Sequence, residues 1–237
     1  MQRYFAKEKI NDYFTLLDED LYHIKKVMRM KDNDNIEVIY DNKLYLCNLK
    51  NERDSILINI LEEINIKTSF EPEITLIIPF LKEPKMDLIF QKGTELGVNR
   101  FIIIDTERSI IKIDSNKENA KLDRWSRICK EASEQSHRLN IPSVEIQREK
   151  TELENLTGLK LICSTTEKEK TIKNILKNNK NYDKINMMIG PEGGFSLKEE
   201  IYFEKKGFIK ISLGTRIMRV ETVPIFLSSI ISYEYME

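Results

Sequence analysis

Glycine is scarce in this chain: 8 of 237 residues, none of them in the first 92. Turns in that stretch must use other residues. Asp32-Asn33-Asp34-Asn35 and Asp41-Asn42 suit the task, because Asn and Asp tolerate the left-handed conformation. Cysteine and histidine are scarcer still, with 3 and 2 residues. Cys47, Cys129 and Cys163 lie far apart and form no C-x-x-C pair. That argues against a disulfide framework and a Cys/His zinc site, and it fits a reducing compartment; no metal is expected. There is no run of about 18 apolar residues, so no membrane-spanning helix is expected. The stretch from Met1 to Phe14 is charged throughout, with no apolar h-region, so a secretory signal is not expected and the cytoplasm is the expected location. Neither sign of charge dominates: 38 Lys and Arg stand against 39 Asp and Glu, a net charge of -1. This excludes a basic coat for nucleic acid but leaves room for a local basic face.

Apolar material is ample. Hydrophobic residues make up 41% of the chain and charged residues 32%, which rules out disorder along its whole length. Between the Asn/Asp turns run short alternating segments, Ile36–Tyr40, Leu44–Leu49 and Ile56–Leu61. Strands of that length and spacing predict a small antiparallel barrel, preceded by an amphipathic helix near Asp20 to Arg29. From about Pro72 the rhythm changes. Apolar runs at Ile74–Phe80, Phe101–Asp105, Leu159–Ser164, Ile185–Ile189 and Ile209–Leu213 alternate with helical patterns. Those helices are predicted at Lys85–Leu96, Glu118–Leu139, Lys168–Lys177, Leu197–Lys205 and Val223–Tyr235. Near-continuous apolar strands alternating with helices predict a parallel sheet covered on both faces. The class is therefore α/β, with a boundary near Glu71-Pro72 and domains at 1–71 and 72–237. The polar stretch Lys177–Lys184 reads as a loop.

Half of the glycines fall in two loops that follow strands. The first is Gly190-Pro191-Glu192-Gly193-Gly194-Phe195-Ser196, where Ser196 and Glu199 make a capping box for the next helix. Glycines between a strand and a helix let backbone approach a ligand and aim free N–H groups at it. The spacing is neither G-x-G-x-x-G nor a P-loop, which argues against dinucleotide and nucleoside triphosphate sites. The second loop is Leu213-Gly214-Thr215-Arg216-Ile217-Met218-Arg219-Val220-Glu221-Thr222, with Thr222 as the expected N-cap and Pro224 in the first turn. Both are expected at the C-terminal ends of neighbouring strands, where open α/β sheets bind ligands. On the long helix, Leu122, Trp125, Cys129, Ala132 and Ser136 share one face. Arg124, Arg127, Glu131, Gln135 and Arg138 form a polar stripe opposite. Taken alone, such a stripe is usually a solvated surface. His23 and His137 have no diagnostic carboxylate partner.

These segments together resemble a known family. Gly190-Pro191-Glu192-Gly193-Gly194-Phe195-Ser196-x-x-Glu199 followed by Ser212-Leu213-Gly214-x-Arg216-Ile217-Met218-Arg219-x-Glu221-Thr222 resembles the signature of the bacterial 16S ribosomal RNA uridine N3-methyltransferases, of the SPOUT class. Upstream, Lys92-Gly93-Thr94-Glu95-Leu96-Gly97-Val98, Glu107-Arg108-Ser109 and Glu131-Ala132-x-Glu134-Gln135-Ser136-x-Arg138 match in order. Near the start, so do Arg3-Tyr4-Phe5 and His23-Ile24-x-Lys26-Val27-x-Arg29-Met30. Any one motif is weak, and the ordered set is specific. Met218 stands where leucine is usual, and Val223-Pro224 where alanine is.

The resemblance implies an N-terminal PUA-like barrel for RNA and a C-terminal α/β domain with a deep trefoil knot, S-adenosylmethionine as cofactor, and a homodimer. It implies methylation of uracil N3 of one uridine of 16S ribosomal RNA, within the small subunit. The residues carried over for the cofactor are Thr165, Ile189, Gly190, Pro191, Glu192, Gly193, Leu213, Gly214, Ile217, Met218 and Thr222. Arg138, Arg219 and Glu221 are the catalytic candidates: two cations to stabilise developing negative charge on uracil or to grip RNA, and Glu221 as a base or orienting group. Arg3, Arg29, Arg108, Arg124, Glu131 and Gln135 are the RNA-binding candidates. Two alternatives remain: a SPOUT methyltransferase acting on another RNA, and an RNA-binding SPOUT protein without turnover.

Overall fold

The computed structural model describes residues 1–51, 56–66, 71–112, 114–178 and 182–235. The chain divides into two compact units. One is Met1–Thr68 together with Lys130–Asn140; the other is Ser69–Cys129 with Ile141–Glu237. The stretch Lys130–Asn140 thus joins the barrel unit, which a single linear boundary near residue 71 does not anticipate. Part of the cause is electrostatic, an ion pair of 2.5 Å between Lys130 and Asp20.

The first unit is built on strands β1 (Arg3–Phe5), β2 (Glu8–Ile10), β3 (Tyr13–Thr15), β4 (Asn35–Tyr40), β5 (Lys43–Asn51) and β6 (Ile56–Ile64). Their order is β1-β4-β5-β6-β3-β2. All pairs are antiparallel except β1 with β4. The first two strands are consecutive in the chain yet lie at opposite ends of that order. Ala6 N–H bonds to Ile39 O on one side and Lys7 N–H to Thr15 O on the other, both at 2.8 Å, so one short segment joins the two edges into a barrel. Between β4 and β5, Asp41 and Asn42 both have positive φ, 52° and 57°, the geometry of a type I′ hairpin. The expected helix is α1 (Asp18–Tyr22), which continues as a π-helical turn over His23–Val27.

The second unit carries β7 (Glu73–Pro79), α2 (Glu83–Glu95), β8 (Val98–Ile104), β9 (Ser143–Gln147), β10 (Leu159–Cys163), β11 (Lys184–Met188) and β12 (Ile209–Ile211). The order is β12-β10-β11-β7-β8-β9, all parallel. Helices α3 (Glu118–Gln135, which runs on into the first unit's Lys130–Asn140), α4 (Ile172–Asn178), α5 (Leu197–Lys205) and α6 (Thr222–Tyr235) complete the set. Strand residues alternate between two buried clusters. Ile77, Ile102, Ile162 and Met188 pack with Phe203 on one side. Leu76, Phe101, Leu161 and Met187 pack with Phe90 and Leu227 on the other. Burial on both sides is why these strands read as apolar runs. Strand β9 escaped the sequence reading because its five residues are mostly half-buried at the sheet edge. The loop expected at Lys177–Lys184 has residues 179–181 outside the described residues.

Helix α3 stops at Gln135, short of the predicted Leu139. The stop is a Schellman motif: Arg138 N–H bonds to Ser133 O at 3.0 Å and His137 sits left-handed at φ 60°. Arg138 therefore stands beyond the helix and does not complete the stripe of Glu131 and Gln135. Among the described residues, no helix is long and apolar enough to cross a membrane, and no cluster of three or more His, Cys, Asp or Glu could hold a metal.

Candidate functional site

A cavity of about 180 Å³ opens at the C-terminal ends of β10, β11 and β12. Three loops line it, at 163–168, 189–195 and 212–220. The two glycine loops were expected on neighbouring strands. In fact β10 lies between β11 and β12 in the sheet, and its own loop forms the third wall.

Each wall is held from behind. The capping box is present: Glu199 N–H donates to Ser196 Oγ at 3.1 Å, and Ser196 N–H donates to Glu199 Oε2 at 3.0 Å. Glu199 is buried and also takes Glu107 N–H and Lys150 Nζ, at 2.9 and 2.7 Å. Burial pushes its carboxyl up, but Lys150 and the two backbone donors outweigh that and leave it below the usual range. Glu200, the next residue, is also buried and accepts from Ser164 Oγ at 2.7 Å and Thr166 Oγ1 at 3.3 Å, which fixes the β10 loop. Lys85 at the start of α2 ties the other two walls together. Its Nζ lies 2.7 Å from Glu192 Oε1 and 3.2 Å from Glu221 Oε2. Lys85 holds the Glu192 carboxyl below its ordinary range. Burial pushes Glu221 up, but its own backbone N–H and Lys85 bring it down overall.

Of the residues carried over for the cofactor, Thr165, Ile189, Gly190, Pro191, Glu192, Leu213, Gly214, Ile217 and Met218 line this cavity. Gly193 and Thr222 do not. Gly193 is exposed, its carbonyl accepts from Arg108 Nη1 at 2.8 Å, and a Cβ there would meet only the Arg108 stem at 3.6 Å. Thr222 is the first residue of α6 and not its cap. Its N–H and that of Val223 both bond to Arg219 O, at 2.9 and 3.3 Å. The open positions are Gly194 and Gly214. A Cβ on Gly214 would meet nothing within 4 Å, and one on Gly194 only Thr165 Oγ1 at 4.0 Å. The sequence reading missed Ser164, Glu167, Lys168 and Ser212 on the walls, and the supporting roles of Lys85 and Glu200. Their signal was faint: hydroxyls one residue past the strands, and a lysine about a hundred residues from its partners.

The catalytic candidates fall in both units. Arg219 is exposed and Glu221 half-buried, both in the second unit beside α6. Arg138 belongs to the first unit, where its guanidinium donates to Asn140 Oδ1 at 3.1 Å. Among the RNA candidates, Arg29, Arg108 and Arg124 are exposed, Arg124 in an ion pair of 2.6 Å with Asp87. Arg3 is buried, 7% exposed, with Nε on Glu37 at 2.8 Å and Nη1 on the carbonyl of His137. Its guanidinium is held by these two partners, and Arg3 is among the residues that line a second cavity in the first unit.

Glu131 and Gln135 are exposed on the wall of that second cavity. Below them Lys130 bridges Asp20 at 2.5 Å and Glu134 at 2.8 Å. Burial pushes the Glu134 carboxyl up to about 6, with Asp20 adding to the rise and Lys130 opposing it. A folded pKa above the ordinary value means that its stabilising contribution is full at acid pH and is lost as pH rises through about 6. Carboxylates whose pKa is lowered, such as Glu199, have the opposite sign and lose their contribution only as pH falls below the ordinary range. Thermal stability should therefore decline between about pH 4.5 and 6, and Glu134→Gln should flatten that decline. Carboxyl carbon NMR should show Glu134 titrating near 6; a midpoint at the ordinary value would refute this.

With the geometry established, the relatives are informative. The description "RNA methyltransferase domain" matches residues 69–232, and "RNA methyltransferase PUA domain" matches residues 16–61. Ribosomal RNA small subunit methyltransferase E of Mesomycoplasma hyopneumoniae is 34% identical, covering 96% of this chain and 97% of its own. The Bacillus subtilis protein of the same name is 31% identical, with 99% and 97% covered. A crystal structure of the Neisseria gonorrhoeae protein of that name, bound to S-adenosyl methionine, superposes with a TM-score of 0.86 at 28% identity, covering 99% of this chain and 98% of that one. With a PUA-like barrel in one unit and a SPOUT-type parallel sheet in the other, this chain belongs to the ribosomal RNA small subunit methyltransferase E family of RNA methyltransferases.

Proposed function

We propose that the chain methylates uracil N3 of a single uridine in 16S ribosomal RNA, with S-adenosylmethionine held in the cavity at the ends of β10, β11 and β12. The observation that carries this is the set of positions without side chains, Gly190, Gly194 and Gly214, spread over two of its three walls. Such a wall offers backbone N–H and C=O groups to a polar ligand, and Cβ space at Gly194 and Gly214 is free. The carboxylates of Glu167 and Glu192 on the walls suit the cationic groups of that cofactor. When bound, it supplies a methyl group on a positively charged sulfur.

The chain supplies binding and alignment. Uracil N3 lies on the Watson–Crick edge, so the target must be unpaired or flipped out. N3 must also lose its proton, and a fixed cation lowers the cost of the resulting uracilate. Arg138 and Arg219 are the proposed cations. Glu221 is held ionised by Lys85 with its pKa lowered, which makes it a weak base, so its proposed role is to orient Arg219 and the α6 loop. Arg29, Arg108, Arg124, Glu131 and Gln135 are proposed to contact RNA. The proposal includes the trefoil knot near the C-terminus and a homodimer in the cytoplasm. Phe226 and Tyr233 on α6 are 37% and 73% exposed, apolar surface that a second copy would cover.

Mass mapping of ribosomal RNA from cells lacking this protein tests the reading. One methyl group should disappear, from a uridine near the 3′ end of 16S ribosomal RNA. An unchanged methylation map would reject it; loss at another RNA would keep the chemistry and reject the target.

A further inference from the structure

The first turn of α2 is fixed in place. Ion pairs tie it to α3 on both sides of Lys85, Glu83 with Lys121 at 2.7 Å and Asp87 with Arg124 at 2.6 Å. Met86, Ile89 and Phe90 of the same helix are fully buried. From this anchored base Lys85 reaches two loops at once. Glu192 lies on one wall of the cofactor cavity, and Glu221 directly follows another.

We propose that Lys85 is a positioning residue for the cofactor: one ammonium group, shared by two carboxylates, sets the separation of the two glycine loops, and without it the loops part. This rests on the proposed function above for the identity of the cofactor.

An ordinary surface ion pair contributes little to stability. This one differs in what remains when the cation is removed. Two carboxylate oxygens that share one Nζ stand within roughly 6 Å of each other, a range where like charges act strongly on one another. Lys85 keeps Glu192 below the ordinary carboxylate range. Burial raises Glu221, but its own backbone N–H and Lys85 bring it down, so both are ionised at neutral pH. Glu221 Oε2 is buried, and without Lys85 its charge would be left uncompensated. Moving the loops apart relieves both penalties. Glu192 is the side that yields, because its side chain is 49% exposed against 16% for Glu221. It stands between Gly190 and Gly194 on the wall, so the movement displaces backbone that faces the proposed ligand.

Lys85→Met keeps the stem and removes the charge, and the lysine side chain is partly exposed, so the fold should persist. In the cofactor-free protein this variant should shift amide NMR signals in both residues 189–195 and residues 213–221. A lysine that only rests on the surface would disturb α2 alone. Calorimetry should show S-adenosylmethionine bound about tenfold more weakly, by analogy with groups that orient metal ligands from behind. Turnover at saturating cofactor should change less than affinity. Lys85→Arg keeps the charge and can bridge two carboxylates, so it should restore most of the affinity. A second substitution separates charge from packing. Glu192→Gln should weaken binding severalfold in the natural protein and strengthen it in Lys85→Met, where it removes the repulsion. Additive losses would overturn the inference, as would unchanged loop signals and affinity in Lys85→Met. If the natural protein bound no S-adenosylmethionine, the proposed function would fail, and the loop signals of the cofactor-free protein would still decide for or against the role of Lys85.

Discussion

Gly214→Val should abolish measurable S-adenosylmethionine binding while the protein stays folded. Two effects act together. Gly214 has φ 102°, a conformation that L side chains rarely adopt, so any substitution strains the loop. Gly214 lines the cavity and a Cβ there would meet no protein atom within 4 Å, so valine's methyls are expected to enter space that the proposed ligand needs. The loop lies on the surface side of the sheet ends and Gly214 itself is exposed, so the core does not depend on it. Gly193→Val is the control. Its added atoms would meet the Arg108 stem at ordinary contact distance, outside the cavity, and cofactor affinity should change far less. Calorimetry on both variants decides the matter. Equal losses would show that the cofactor also depends on the Gly193 side of its loop, outside the cavity wall; unchanged affinity for Gly214→Val would show that the cofactor binds elsewhere.

Much of this architecture was legible in sequence for reasons that can be named. Parallel strands buried on both faces read as near-continuous apolar runs, so β7, β8, β10 and β11 stood out despite buried Thr75 and Asn186. Asp41-Asn42 announced its hairpin because few residues other than glycine accept two successive positive φ values. What stayed hidden depends on groups brought together from far apart. Nothing local marks β10 as the strand between the two glycine loops, because strand order is set by crossovers and not by spacing. Nothing marks Lys85 as the link between Glu192 and Glu221, or Glu200 as the support of Ser164. The end of α3 was missed because its stop uses His137 in the left-handed position where glycine is the usual signal. Arg3 came in as an RNA candidate through the Arg3-Tyr4-Phe5 resemblance; its burial, which local sequence does not mark, follows from Glu37 across the β1–β4 pair, directly opposite in register.

Arg138→Ala should reduce methylation by a hundredfold or more and leave cofactor affinity within about twofold, by analogy with loss of one charge-stabilising donor. The Schellman turn at the end of α3 fixes where this arginine stands: its N–H is bonded to Ser133 O, and its guanidinium rests on Asn140 Oδ1. The backbone bond survives the substitution, so the turn should persist and the loss should be that of the guanidinium alone. A guanidinium keeps its charge at any working pH and can fork onto a phosphate or a uracil oxygen. Arg138 is not among the residues that line the cofactor cavity, so the cofactor's own contacts should survive the change. Arg138→Lys separates the two uses. A lysine keeps the charge but loses the fork, so recovery of most of the rate would mean that charge alone is needed. No recovery would mean that paired hydrogen bonds to the uracil or its phosphate are what Arg138 provides. Near-normal turnover by Arg138→Ala would remove it from the reaction altogether and leave Arg219 as the cation beside the base.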